Sequence, residues 1–152
     1  MNEKEKIKKA RALLLKGQIG EIYAKYVLKE RGYNVLNLNN CSERLLDYFL
    51  RDLNEKFLIK KLLRENNGIP DFICKKNEDV SFAEVKTNNS GLSKNQIAFF
   101  KELKKYFRVI ILNVSFDFNL KEIEIKECDE DYLNTEKIKR EYYDKLKEQH
   151  KF

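Results

Sequence analysis

The stretch GIPDFICKKNEDVSFAEVKTNNSGLSKNQ, residues 68–96, decides how the rest of the chain is organised. Two apolar runs within it, 72–74 and 80–85, flank a Lys-Asn-Glu-Asp turn at 76–79. Apolar runs separated by a short polar turn are typical of paired antiparallel strands. The stretch therefore predicts a β-hairpin at the centre of the fold.

The second strand of this hairpin carries two charged residues in an otherwise apolar pattern. Because side chains alternate between the faces of a strand, Glu84 and Lys86 share one face with Val80 and Phe82. A carboxylate and an ammonium at the end of an apolar face conflict with burial, and such conflicts are typical of functional positions. Glu84 and Lys86 are therefore candidate functional residues.

The chain before the hairpin has the apolar spacing of helices. Gly17 and Gly20 predict a break or bend between the first two helical segments, and Gly32 stands where a helix C-terminus is expected. Whether the segment over 42–66 is one long helix or a hairpin of two helices stays open. The predicted elements are helices over 3–16 and 19–31, a strand over 33–38 and a helical segment over 42–66.

After the hairpin, a helix and a further strand follow in the order of a right-handed crossover, which makes the flanking strands parallel. Ser93 is a good N-cap for this helix, which is expected to run through Tyr106. The continuous apolar run over 108–114 indicates a strand buried on both faces. The prediction ends with an edge strand over 120–125 and a C-terminal helix over 135–148, with Ile138, Tyr142 and Leu146 on its inner face.

Length predicts a single domain over 1–152, and the order of the predicted elements makes it an α/β domain with a mixed central sheet flanked by helices. Charged side chains make up 37% of the 152 residues, and the formal net charge of +6 favours an anionic partner. No apolar run is long enough to span a membrane, and the first residues lack the apolar core of a signal peptide. We therefore expect a soluble, cytoplasmic protein with no membrane partner.

Cysteine and histidine usage excludes several kinds of site. Cys41, Cys74 and Cys128 are odd in number and show no C-x-x-C spacing, which argues against a disulfide framework and a zinc site. The single histidine, His150, lies in a charged C-terminal tail, where a catalytic triad is seldom held. Any catalysis is expected to use carboxylates, lysine and a bound metal.

The central motifs and their surroundings carry a family resemblance. They are Pro70-Asp71 on one strand, Glu84-Val85-Lys86 on the next, Leu92-Ser93 and Gln96 after them, and Gly20-Glu21 and Gly32-Tyr33 before them. The strand motifs resemble the PD-(D/E)XK nuclease superfamily, and with their neighbourhood they are similar to VRR-NUC-type nuclease domains. The upstream pairs are similar to archaeal Holliday junction resolvases. The resemblance covers about residues 16–114 and implies a restriction-endonuclease-like core of order αβββαβ.

The segment over 42–66 departs from this family pattern, because close relatives usually connect the first strand directly to the hairpin. This helical insertion must bury its apolar stripe against the domain, against a second subunit or as a lid over a cleft. A homodimer and the choice of substrate therefore stay open.

The residue types of the motif fit phosphodiester hydrolysis, which needs a positioned water and stabilisation of negative charge, both supplied by a divalent cation. Mg²⁺, or Mn²⁺ in its place, takes hard oxygen ligands. Asp71 and Glu84 on adjacent strands are expected to converge on it, with the backbone carbonyl of Val85 as a further ligand. Lys86 is expected to orient the water or offset phosphate charge.

Two further site residues follow from the resemblance, and each has a structural alternative. Glu21 is implied as a third acid that reaches the metal from the first helix, or it is a solvated helix residue. Gln96 is implied as a catalytic residue, while its spacing from Ser93 also matches a capping box.

Other patterns compete with the motif. A second E-x-K with strand-like spacing lies at Glu122, Glu124 and Lys126, and such patterns arise by chance in a chain rich in Lys and Glu. Aromatic residues near the motif are expected to belong to the core rather than to stack on bases. They are Tyr23, Tyr26, Phe99 and Phe100.

The function expected is a metal-dependent endonuclease that hydrolyses DNA, with RNA left open. Structure-specific cutting of junctions, flaps or nicks in repair or recombination is favoured over a restriction-type endonuclease, because no separate sequence-reading module is visible. The other alternative is an inactive nuclease-fold module that binds nucleic acid or a protein. Candidate nucleic-acid-binding residues are Ser93, Lys94, Lys8, Lys9, Arg11 and Lys16, although charged helix faces are often simply solvated.

Overall fold

The structure is a computed structural model that describes residues 2–88, 90–116 and 121–149. Asn89, Leu120 and His150, to which sequence predictions refer, lie outside the described residues. Within the described ranges the chain forms five helices and five strands. In chain order these are α1 (Glu3–Glu30), β1 (Asn34–Asn37), α2 (Glu43–Phe49), α3 (Lys56–Glu65), β2 (Phe72–Lys76), β3 (Asp79–Thr87), α4 (Lys94–Leu103), β4 (Arg108–Phe116), β5 (Lys121–Glu127) and α5 (Glu130–Gln149).

The five strands form one mixed sheet in the order β1-β2-β3-β4-β5. The predicted hairpin is confirmed, because β2 and β3 pair antiparallel, with Lys76 opposite Asp79 across the turn. The crossover through α4 makes β3 and β4 parallel, as predicted, and places Glu84 beside Ile111. β5 pairs antiparallel with β4 at the edge of the sheet. The predicted α/β class with a mixed sheet is therefore confirmed.

The predicted alternation along β3 is confirmed, and it directs the side chains of this strand into two separate cores. Ala83 and Val85 pack with Leu28 of α1 on one face of the sheet. Phe82 packs with Phe99 of α4 on the other face. The face that carries Glu84 and Lys86 is therefore covered by helices other than α1.

Helix α1 is continuous, so the predicted interruption at Gly17 and Gly20 is wrong. Its start is fixed by a capping box in which the Asn2 side chain accepts from the Glu5 amide at 2.9 Å. A glycine inside a helix costs only about 1 kcal/mol relative to alanine, which the rest of a 28-residue helix outweighs. Gly32, with φ at +91°, follows the end of the helix as expected.

The insertion consists of two helices, α2 and α3, separated by a turn rather than joined as one helix. Its apolar stripe is only partly buried against the domain: Leu50, Ile59 and Leu62 join the core that contains Phe82, whereas Phe57 of the same stripe is 83% exposed. A hydrogen bond of 2.6 Å from Lys75 Nζ to the Phe49 carbonyl also attaches α2 to the sheet.

Helix α5 begins at Glu130, five residues before the predicted start, and its predicted inner face is wrong. Ile138 and Tyr142 are 66% and 61% exposed, whereas Leu133 and Glu136 are buried. Apolar spacing missed this face because part of it is polar and is buried through hydrogen bonds to the loop before α4.

Candidate active site

Asp71 lies at the start of β2, and the fold fixes both of its carboxylate oxygens. It is only 8% exposed. Its Oδ2 accepts a hydrogen bond of 2.8 Å from the Val85 amide of the neighbouring strand. Its Oδ1 accepts one of 3.0 Å from the Asn39 side chain, in the loop after β1. The backbone also anchors this position, because the Leu38 amide donates to the Asp71 carbonyl at 2.8 Å. The carboxylate is thus oriented before any ligand arrives.

Glu84 lies beside Asp71 on β3 and is 4% exposed. Burial, the negative charge of Asp71 and a hydrogen bond with it together raise the pKa of Glu84 to about 9, while Lys86 and Gln96 act in the opposite direction. Its Oε2 atom is buried and has no hydrogen-bond partner among the described residues. A buried carboxylate oxygen without a partner is costly, and such an atom is a natural position for a cation ligand.

Glu21 projects from α1 toward the same carboxylate. Partial burial first, then the charge of Asp71 and a hydrogen bond with it, raise the pKa of Glu21 to about 7. The structure thus brings the predicted third acid next to Asp71, so Glu21 is not a fully solvated helix residue.

Lys86 is held by the helix that follows the hairpin. Its ammonium donates a hydrogen bond of 3.1 Å to Gln96 Oε1, which also accepts from the Ser93 amide at 3.0 Å. The Ser93 hydroxyl in turn accepts from the Gln96 amide at 3.1 Å, which completes a capping box at the start of α4. The two interpretations of Gln96 are therefore compatible: it caps α4 and it contacts Lys86.

Gly68 lets the chain pass directly against the start of α4. Its φ is +77°, and a Cβ atom at this position would lie 2.6 Å from the backbone carbon of Asn95 and 2.6 Å from the backbone nitrogen of Gln96. Only glycine fits such an approach without displacing the helix. Gly68 thus sets the distance between the Asp71 strand and the helix that holds Lys86.

The competing E-x-K lies elsewhere. Glu124 and Lys126 are on the edge strand β5, both side chains are largely exposed, and they form an ion pair of 3.7 Å with each other. Of the predicted core aromatics, Phe99 and Phe100 are buried and Tyr23 packs on the core beside α1. The prediction for Tyr26 is wrong, because its side chain is 60% exposed.

The candidate nucleic-acid contacts are exposed but do not form one face. Lys8, Lys9, Arg11 and Lys16 all lie on the exposed N-terminal part of α1. At 100° per residue, the directions of Arg11 and Glu21 around the helix axis differ by about 80°, and the two residues lie about 15 Å apart along it. Lys8 and Lys16 point about 140° away from Glu21. Ser93 and Lys94 are exposed at the start of α4, next to the residues that hold Lys86.

The donor set fits a hard divalent cation in part. Carboxylates of Asp71 and Glu84 with one unpartnered oxygen are the ligand type that Mg²⁺ prefers. Glu21 and Glu84 each interact with Asp71, but among the described residues no group of three or more His, Cys, Asp or Glu side chains is arranged to hold a metal ion. Mg²⁺ commonly uses one or two carboxylates with waters and substrate phosphate, so the pair remains sufficient as a protein ligand set.

The paired acids on adjacent strands, with a lysine two residues after the second acid, place the chain in the PD-(D/E)XK class of nucleases. Within that class the chain belongs to the VRR-NUC family, since the VRR-NUC domain matches residues 15–116. No curated protein sequence matches the chain. The matched range contains Glu21, the hairpin and the start of α4, and family membership indicates a nuclease.

Sequence reasoning missed several residues that shape this site. Asn39, Gly68 as a close contact, and the α5 residues Glu136 and Arg140 carry no recognisable motif. Only Gly68 carries a sequence signal, since a glycine after Asn66-Asn67 indicates a turn, and a turn does not predict a close contact with a helix. Among the described helices, none has the length and apolar character needed to cross a membrane.

Proposed function

We propose that the chain is a metal-dependent endonuclease that hydrolyses phosphodiester bonds in DNA. The observation that supports this best is the buried pair Asp71 and Glu84 next to Lys86, whose ammonium is held by Gln96. Hydrolysis adds a water oxygen to phosphorus and releases one ester oxygen, which takes up a proton. Negative charge that develops on the phosphate during this step needs cationic partners.

Asp71 and Glu84 would hold Mg²⁺ or Mn²⁺, with Glu21 and the backbone carbonyl of Val85 as further ligands. When bound, the cation supplies Lewis-acid stabilisation of the phosphate and acidifies water. Asp71 is suited to this role because Asn39 and the Val85 amide already fix its orientation. Glu84 must lose its proton to act as a ligand, and a nearby cation favours that ionisation.

Lys86 would position the attacking water or neutralise the phosphate. One of its N–H groups is used by Gln96, which leaves the remaining N–H groups to donate to an oxygen of water or substrate. The exposed N-terminus of α4, with Ser93 and Lys94, would contact a neighbouring phosphate. The basic residues of α1 would contribute contacts to the DNA backbone farther from the scissile bond.

Structure-specific substrates such as junctions, flaps or nicks, as met in repair or recombination, fit the chain better than a fixed sequence. The described elements form one sheet and its covering helices, and the two insertion helices contribute to the common core instead of forming a separate domain. Fold alone does not determine substrate, so the choice rests on assay.

The test is cleavage of linear, branched, flapped and nicked DNA, and of matched RNA, with Mg²⁺, Mn²⁺ or EDTA. Asp71→Asn and Glu84→Gln are expected to lower the rate at least about 100-fold, since even residues that only support metal ligands cost about 10- to 100-fold. Lys86→Ala should also cut slowly while still gaining thermal stability from Mg²⁺, as it keeps both carboxylates.

Glu124→Gln is the matched control, because it changes the other E-x-K on an exposed strand and should cut like the parent. Cleavage that survives Asp71→Asn and Glu84→Gln would overturn the proposed mechanism. Salt-sensitive DNA binding without cleavage under any metal would favour the inactive binding module instead. Cleavage confined to one linear sequence would favour a restriction-type enzyme.

A further inference from the structure

Two side chains of α5 form hydrogen bonds with the loop before α4. The buried Glu136 side chain, 6% exposed, accepts a hydrogen bond of 3.2 Å from the Leu92 amide through Oε2. Arg140, one helical turn later, donates from a terminal guanidinium nitrogen to the Leu92 carbonyl at 3.0 Å. The donor and the acceptor of one residue's backbone are thus both bound by a single helix. We call Glu136 and Arg140 the α5 clamp.

The clamped residue immediately precedes the cap of α4. Leu92 is 1% exposed, and its neighbour Ser93 is the N-cap whose amide binds Gln96 Oε1. The same Gln96 oxygen accepts from the Lys86 ammonium. A chain of contacts therefore runs from Glu136 and Arg140 through Leu92 to Lys86.

The packing around the clamp leaves little freedom. A Cβ atom on Gly91 would lie 3.1 Å from Glu136 Oε2, so the loop passes tightly over this carboxylate. Glu136 also lines a cavity of about 110 Å³ together with Lys86 and Tyr132. The side of α5 that carries the clamp thus borders the space next to the Lys86 side chain.

We propose that α5, which lies outside the residues matched by the VRR-NUC domain, positions residues of the active site. Its clamp fixes the start of α4 and thereby holds Gln96 and Lys86 in register with Asp71 and Glu84. Glu136 and Arg140 are positioning residues that act through Leu92. This inference rests on the proposed function for its effect on cleavage, but the structural part of it does not.

The structural part is tested by hydrogen exchange of the amides of residues 92–96 in Glu136→Ala and Arg140→Ala. Glu141→Gln, on an exposed position of the same helix, is the control. We expect faster exchange at 92–96 in both clamp variants, with unchanged protection in the centre of the sheet and in the control. Unchanged exchange at 92–96 would overturn the clamp, whether or not the protein cleaves DNA.

The catalytic part is tested by the kinetics of DNA cleavage. Loss of the clamp should lower kcat by about 10- to 100-fold with KM little changed, because a displacement of about 1 Å in a catalytic group has effects of this size. The conservative variants Glu136→Gln and Arg140→Lys keep a suitable acceptor and donor, so each should lose less than its alanine counterpart. Equal losses in the alanine and conservative variants, or a change confined to KM, would overturn the positioning role. If the parent itself cuts no nucleic acid, the proposed function fails while the exchange result still decides the clamp.

Discussion

Protonation of Glu84, a proposed metal ligand, affects the stability of the folded protein when no metal is bound. The pKa of Glu84 is raised to about 9, mainly by burial, from an ordinary value of 4.5. The folded protein therefore retains a proton over a pH range in which the unfolded chain has released it. By linkage, this contribution to stability is fully present below about pH 4.5 and is lost as the pH rises toward about 9.

We expect Glu84→Gln in EDTA to reduce the fall in unfolding temperature between pH 6 and pH 9, because an amide cannot ionise. The variant should also be more stable than the parent at pH 9, although its cleavage of DNA is expected to be at least about 100-fold slower. Stability gained where function is lost is a common trade-off at such sites. Thermal unfolding at several pH values measures this, with Glu141→Gln as the exposed control. This expectation would be contradicted if the unfolding temperatures of the parent and of Glu84→Gln depended on pH in the same way.

Asn39 orients Asp71 from the loop that leads into the insertion. Asn39→Ala removes the hydrogen bond to Oδ1 and should lower the cleavage rate by about 10- to 100-fold, as is typical for residues that support metal ligands. The exposed neighbour Asn40 offers a matched control, and Asn40→Ala should cut like the parent. Rates and thermal unfolding of both variants give the comparison. Equal cleavage rates of Asn39→Ala and the parent would show that the Val85 amide alone is enough to orient Asp71.

The candidate residues differ in how far sequence could reveal them. Glu84 and Lys86 were recognisable because alternation along one strand gives them a shared face, and Asp71 because Pro70-Asp71 resembles the motif of PD-(D/E)XK nucleases. Asn39 was not, because its contact with Asp71 spans 32 residues and crosses the whole insertion. Asparagine is frequent in this chain, so its identity alone carries little information.

At the level of elements, glycines illustrate how context decides the effect of one residue type. Gly68→Ala would place Cβ within 2.6 Å of the α4 backbone and at a φ of +77°. We expect a loss of about 2 kcal/mol or more in unfolding free energy, together with slower cleavage from a displaced α4.

Gly17→Ala is the counterpart, since no described atom lies within 4 Å of the Cβ that it would add to α1. It should stabilise the protein by about 1 kcal/mol and leave cleavage unchanged. Chemical denaturation of both variants measures the opposite signs. Similar effects at both positions would contradict the close contact at Gly68.

The same contrast explains which elements were predictable. The hairpin, the crossover and the α4 cap follow from local chemistry, so sequence located them. The continuity of α1 did not follow, because the cost of two glycines is small beside the cooperative gain of a long helix. The buried side of α5 did not follow either, because Glu136 is buried through hydrogen bonds rather than through apolar spacing.

For the molecule as a whole, DNA binding is expected to depend more on where the positively charged residues lie than on the net charge. The net charge of +6 would attract any polyanion, whereas contacts to phosphates depend on where the lysines and arginines lie. The exposed first part of α1 carries three basic residues within one helical turn, Lys8, Lys9 and Arg11. α5 carries exposed lysines at 137, 145 and 147, which offer the same charge at another place.

Substituting Lys8, Lys9 and Arg11 together by Ala is expected to weaken DNA binding and to flatten its dependence on salt. Each phosphate contact contributes about 0.9 to the slope of log affinity against log salt concentration, so three lost contacts would lower the slope by about 2.7 at most. The matched triple Ala variant at Lys137, Lys145 and Lys147 removes the same net charge and should change the slope much less. If the two triple variants lose equal slope, net charge rather than α1 governs binding, and the assignment of α1 as a DNA contact fails.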